Sequence, residues 1–170
     1  MTLHGPAIAA AQKHAHTAAN SSAPPPLAFF KPEQAAEIEA MAAQIIPTDD
    51  TPGAREAGVI HFIDRALATF DRDKQSAYNA GLEQVTAKVK EMFPAAARLS
   101  QLQPEQQVAV LSAIEKSEFF ETVRTHTLIG MFANPSYGGN RDQAGWKLIG
   151  FEDAMAFQPP FGYYDRENGR

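Results

Sequence analysis

The prolines decide what this chain can fold into. A proline fixes φ, lacks the amide hydrogen that a helix interior needs, and pushes the preceding residue away from helical geometry. Pro32, Pro47, Pro52, Pro94, Pro104 and Pro135 therefore cut the middle of the 170-residue chain into segments. Apolar residues recur within these segments at three- and four-residue spacing, the period of an α-helix. No alternating pattern commits any segment to a sheet. The spacing predicts an all-α fold, a single compact domain of four to five helices. An N-terminal tail (1–31) precedes the helical domain (32–133), and a Gly- and aromatic-rich segment (134–170) follows it.

The first helix should open at Lys31-Pro32-Glu33, where a first-turn proline sacrifices no hydrogen bond and the acid suits the helix N-terminus. Ile38, Met41, Ala42, Ile45 and Ile46 form its apolar face, and Pro47 ends it. Thr48-Asp49-Asp50-Thr51-Pro52-Gly53 reads as a turn-rich connector. A second helix is expected from about Ala54 to Phe70, burying Val59, Ile60, Ile63, Ala66, Leu67 and Phe70. Asp71 is the expected cap of a third helix, with Tyr78, Leu82, Val85, Val89 and Met92 or Phe93 inward. Gly81 inside it costs about 1 kcal/mol relative to Ala unless a neighbour packs closely there.

Pro104 opens the longest helical stretch, from Gln106 to about Phe132. Val108, Leu111, Ile114, Phe119, Phe120, Val123, Thr127, Leu128 and Met131 support it. Ser117 and Glu118 offer a fresh start, so a break is expected near Lys116. Gln143 to Phe151 has the makings of one more short helix. In the tail, Pro24-Pro25-Pro26 favours extended geometry, and Leu27, Phe29 and Phe30 are expected to dock on something.

Net charge of -5 leaves no dominant basic face, which argues against nucleic acid. The absence of cysteine excludes disulfides, thiolate metal sites and c-type haem attachment on this chain. No apolar run approaches the roughly 20 residues of a membrane span. The N-terminus has one lysine, an interrupted apolar stretch and no paired arginines, so the sequence is expected not to direct its own export.

Candidate chemistry is sparse. His61 and Asp64, three apart on the second helix with Glu56 a turn or so earlier, have the spacing of a metal-ligand pair, the basis of a stand-alone metal-dependent enzyme. The plainer reading is a histidine at the edge of an amphipathic helix. His126 reads as a buried, hydrogen-bonded structural histidine. Asp49 and Asp50 read as caps for the next helix. His4, His14 and His16 have no carboxylate nearby to complete a site. Gly138-Gly139 lacks the preceding strand and following helix of a phosphate cradle.

The stretch "NPSYGGNRDQAGWKLIGF" (134–151) stands apart. It gathers four of the eleven glycines and the only tryptophan. Trp146, Phe151, Phe157, Phe161, Tyr163 and Tyr164 place six aromatics near the end of the chain. Tryptophan, tyrosine and arginine anchor interfaces, whereas glycine permits positive φ or close backbone approach. Pro135, Tyr137, Gly138, Gly139, Asn140, Arg141, Trp146, Phe151, Phe157, Phe161, Tyr163 and Tyr164 are therefore the candidate partner-binding residues. Composition alone weighs docking and self-packing equally.

Taken together, "IIPTDDTPGAREAGVIHFID" (45–64) and the 134–151 stretch resemble the gluconate 2-dehydrogenase subunit 3 family, over about residues 33–151. Pro47, Asp50, Pro52, Gly53, Ala54 and Gly58 match its first motif. Pro135, Tyr137, Gly138, Gly139, Asn140, Gly145, Trp146 and Gly150 match its second. The resemblance implies a non-catalytic small subunit with no cofactor of its own. Its partner would be a catalytic flavoprotein of the glucose-methanol-choline (GMC) type, carrying FAD and oxidising a sugar or glycoside hydroxyl, glucoside 3-dehydrogenases included. Electrons would pass to a cytochrome c subunit or another acceptor. The small subunit would stabilise and help mature the large one; a transient assembly chaperone is the variant of that role. Many family members begin with a twin-arginine signal, implying a periplasmic complex, and this sequence departs from them there.

Overall fold

The computed structural model of the chain describes residues 26–154. Among them there are six α-helices and no strand: α1 (Pro32–Ile45), α2 (Val59–Ala68), α3 (Gln75–Met92), α4 (Pro104–Ile114), α5 (Glu118–Phe132) and the short α6 (Ala144–Leu148). The all-α expectation holds, and the predicted break in the longest stretch falls at residues 115–117. There the Ser117 hydroxyl accepts a hydrogen bond from the Phe120 amide, 3.1 Å away, and restarts the helix.

The bundle is organised around α2. Seven of its ten residues are buried, Asp64 among them, so it is apolar on nearly every side, as a central helix must be. It packs chiefly on α5 and α1. Gly130 of α5 lets the first pair come close, since a Cβ there would meet Phe62 and Val59 at 3.1 Å. Gly81 of α3 has an equally local reason. A Cβ there would lie 2.2 Å from the Phe119 ring, so the glycine is the socket into which α5 inserts that side chain.

Three expectations give way. Residues 54–58 form turns rather than the start of α2, and the helix begins only after Gly58, whose φ of +65° no helix interior accepts. Asp71 does not cap α3; its carboxylate pairs with Lys74 and His126 instead. Val108 and Leu128, expected in the core, are 48% and 37% exposed, and Phe70 lies past the end of α2 at 61%.

The last residues of the N-terminal segment are tied to α2. Both oxygens of Asp64 are engaged there: Oδ2 accepts from the Ala28 amide (2.6 Å), and Oδ1 from Phe29 (2.9 Å) and Phe30 (2.8 Å). Charge-assisted bonds of this kind stabilise a buried carboxylate that would otherwise be costly. Phe30 then enters the core, its ring centroid 5.8 Å from that of Tyr78. Glu37 of α1 repeats the device on the far side, accepting from the amides of Leu99 (2.8 Å) and Ser100 (3.0 Å).

Candidate functional site

The segment after α5 turns back on the helix it has just left. Pro135 forbids continuation, the Asn134 side chain accepts from the Ser136 amide at 3.0 Å, and Gly138 leaves the turn with φ of +109°. Gly139 and Gly145 then lie directly on the end of α5. A Cβ on Gly139 would stand 2.2 Å from the Gly130 carbonyl oxygen, and one on Gly145 2.0 Å from that of Met131. Only glycine permits backbone to press on backbone in this way.

Two side chains fix this clasp. Asn140, fully buried at φ +47°, donates from Nδ2 to the Ala133 carbonyl (2.9 Å) and accepts at Oδ1 from the Gly145 amide (2.8 Å). Trp146, 8% exposed, donates its indole N–H to the Phe132 carbonyl at 2.7 Å, and its ring lies 4.9 Å from that of Phe151. The last carbonyls of a helix have no partner within it. Here Asn140 and Trp146, from well downstream, supply the donors.

The clasp also joins the two sequence motifs. The Arg141 amide donates to the Ala57 carbonyl at 2.9 Å, and the Arg65 guanidinium to that of Ser136 at 2.8 Å. The Arg141 guanidinium lies over Gly58, where a Cβ would meet it at 3.1 Å. The first motif is folded upon itself. Asp49 accepts from the amide and hydroxyl of Thr51, which holds its carboxyl below the usual range, so it closes its own turn rather than capping α2. A Cβ on Gly53 would meet the Ile46 and Pro47 backbone at 2.6 Å, and Glu56 accepts from the Gly53 amide at 3.0 Å.

The candidate partner-binding residues thus divide. Gly139, Asn140 and Trp146 face inward; Pro135 and Gly138 are half-buried; Tyr137, Arg141 and Phe151 are exposed. Phe157, Phe161, Tyr163 and Tyr164 lie outside the described residues, as do His4, His14 and His16. Sequence reasoning missed Leu148 and Ile149, 44% and 60% exposed beside Phe151. They read as helix-forming residues because nothing local shows which way so short a helix turns.

The other candidates are engaged in the fold. Asp64 holds the N-terminal segment rather than His61. His61 is half-buried, and burial first, then the neighbouring Arg141, lowers its pKa. His126 is 4% exposed, with Nδ1 2.8 Å from the Tyr78 hydroxyl and Nε2 3.2 Å from Asp71. A neutral imidazole donating to Asp71 and accepting from Tyr78 fits both contacts. Burial, the largest influence, favours that neutral form, while Asp71 opposes it. Burial also pushes the Tyr78 phenol far above its ordinary range. Among the described residues no group of three or more His, Asp or Glu side chains is placed to hold a metal.

These features define a class: a small all-α domain whose polar side chains bind its own irregular segments, with apolar side chains left outside near the end of α5. The family model for gluconate 2-dehydrogenase subunit 3 matches residues 32–153, and the chain belongs to that family. The family's name makes its members subunits of a multi-subunit dehydrogenase. No curated protein and no solved structure matches the chain.

Proposed function

We propose that the chain is the non-catalytic small subunit of a bacterial FAD-dependent sugar or glycoside dehydrogenase, and that it stabilises and helps mature a GMC-type catalytic flavoprotein. The observation that carries this reading is the family match over residues 32–153. The use of the side chains supports it. Asp64, Glu56 and His126 are bonded within the fold, and the paired glycines serve backbone contact with α5 rather than a phosphate cradle. On this reading the FAD belongs to the partner, and the paired glycines here do structural work on α5. The partner's flavin would take a hydride from the alcohol carbon, with the base on that chain. This subunit would contribute through the stability of the complex.

The test is to tag the chain in its native host, purify it gently and record the visible spectrum of what accompanies it. A larger co-purifying chain with a flavin spectrum, bleached on addition of a sugar, is the expected result. A colourless single chain would overturn the proposal.

A further inference from the structure

An amphipathic helix packed on one side should be polar on the other. Helix α5 obeys this for half its length. Its outward side begins with Glu118, Glu121 and Arg124, the last two joined by an ion pair of 2.9 Å. It then changes character. Leu128 and Ile129 are 37% and 44% exposed, and Phe132, half-buried, lies between them on the same side. The inward positions Val123, His126, Thr127, Gly130 and Met131 supply the contact with the domain, and Phe132 adds its buried part to the core; Leu128 and Ile129 of this second apolar face are surplus to the fold.

The clasp extends that face. Trp146 is bonded to the Phe132 carbonyl, Phe151 packs on Trp146, and Leu148, Ile149 and Phe151 are all more than 40% exposed. Five of the nine large hydrophobic side chains exposed among the described residues therefore belong to two neighbouring parts of the chain, the second half of α5 and the segment from α6 to Phe151 that is bonded to the end of α5. Gathering, rather than exposure as such, marks an interaction surface, since scattered exposed apolar residues are ordinary. The Glu121–Arg124 pair and exposed Lys147 give it a polar border, the usual anatomy of a protein interface. The sequence running on from it holds Phe157, Phe161, Tyr163 and Tyr164.

We infer that the face formed by Leu128, Ile129 and Phe132 of α5 with Leu148, Ile149 and Phe151 is where the catalytic dehydrogenase subunit docks. The inference rests on the subunit reading above and assigns it a place. The buried Asn140 and Trp146 act as its support, and the outward aliphatic side chains and Phe151 make the contact. An aliphatic, weakly charged patch on the flavoprotein is its complement, because a charged one would lose its hydration here without gaining a partner.

The experiment uses the full chain, tagged in its host, with L128E and I149E as variants and V108E as a control on α4, where Val108 is 48% exposed. Far-UV circular dichroism and thermal melting of each isolated chain establish that it is folded. The expected result is that the wild-type and V108E chains bring down the sugar-bleached flavoprotein, while L128E and I149E lose it at least tenfold. Retention by both variants would overturn the assigned face and leave the subunit reading standing. Failure of the wild-type chain to bring down any flavoprotein would overturn both. A wild-type dimer that L128E converts to monomer without affecting the flavoprotein would make the face a contact between copies. Faster hydrogen exchange at residues 128–132 on truncation after Ala154, with capture unchanged, would place it under the chain's own C-terminal residues. Either of these results overturns the inference.

Discussion

Two irregular segments are tied to this bundle, by opposite means. At the N-terminal end, the helix provides the side chain and the segment provides backbone: Asp64 of α2 accepts from the amides of Ala28, Phe29 and Phe30. At the C-terminal end the helix provides backbone and the segment provides side chains. Asn140 and Trp146 donate to the Ala133 and Phe132 carbonyls at the end of α5. The first tie is strong but tolerant of sequence, because every residue except proline has an amide. The second depends on particular side chains at particular positions, and on glycine where backbones meet.

The comparison is broken most severely at Asp64. Asp64→Ala leaves three amides without their acceptor and frees Phe30 to leave the core, for a loss of about 4 kcal/mol. Urea unfolding measures the loss, and hydrogen exchange should show the amides of residues 28–30 opening first. A variant that loses stability while those amides stay protected would disprove the tie.

Asn140 tests the opposite arrangement. Asn140→Ala removes two hydrogen bonds and puts a less tolerant residue at φ +47°, for a loss of about 2–3 kcal/mol. Asn140→Gly removes the same bonds but relieves the backbone, so it should retain about 1 kcal/mol more. Equal midpoints for the two variants in urea would mean that the left-handed conformation carries no cost here. Trp146→Phe is gentler. It keeps an aromatic ring but loses the indole donor, and about 1–2 kcal/mol with it, read as a lower melting temperature.

The smallest effect is that of pH, and it concerns the core that both ties enclose. The pKa of His126 is lowered on folding from an ordinary 6.5, so the unfolded chain binds more protons as pH falls. Its contribution is complete above about pH 6.5 and is lost as pH falls through the lower folded value. Stability measured from pH 7.5 downward should therefore decline, and His126→Gln should flatten part of the slope. Half-buried His61, shifted the same way, accounts for some of the remainder.

The difference between the two ties also explains what could be read in advance. Helices bounded by proline and filled at helical spacing were legible, as were the buried Tyr78 and His126. The clasp was visible as a motif because it works through side chains, but its direction was not. A tryptophan that caps a helix and one that anchors a partner are the same letter. The Asp64 tie had no signal at all beyond the apolar Leu27, Phe29 and Phe30, since amides are anonymous in a sequence. Gly58 delayed the start of α2 through a conformation that the pattern around it did not require.

One consequence of the clasp concerns water. A helix normally ends wet, because its last carbonyls must find donors and solvent is the nearest supply. At the end of α5 the carbonyls of Phe132 and Ala133 are satisfied from within the chain. Dehydrating that end strips no hydrogen bonds from these two groups, and a helix terminus, usually among the most hydrophilic places on a protein, becomes a place that can be sealed dry.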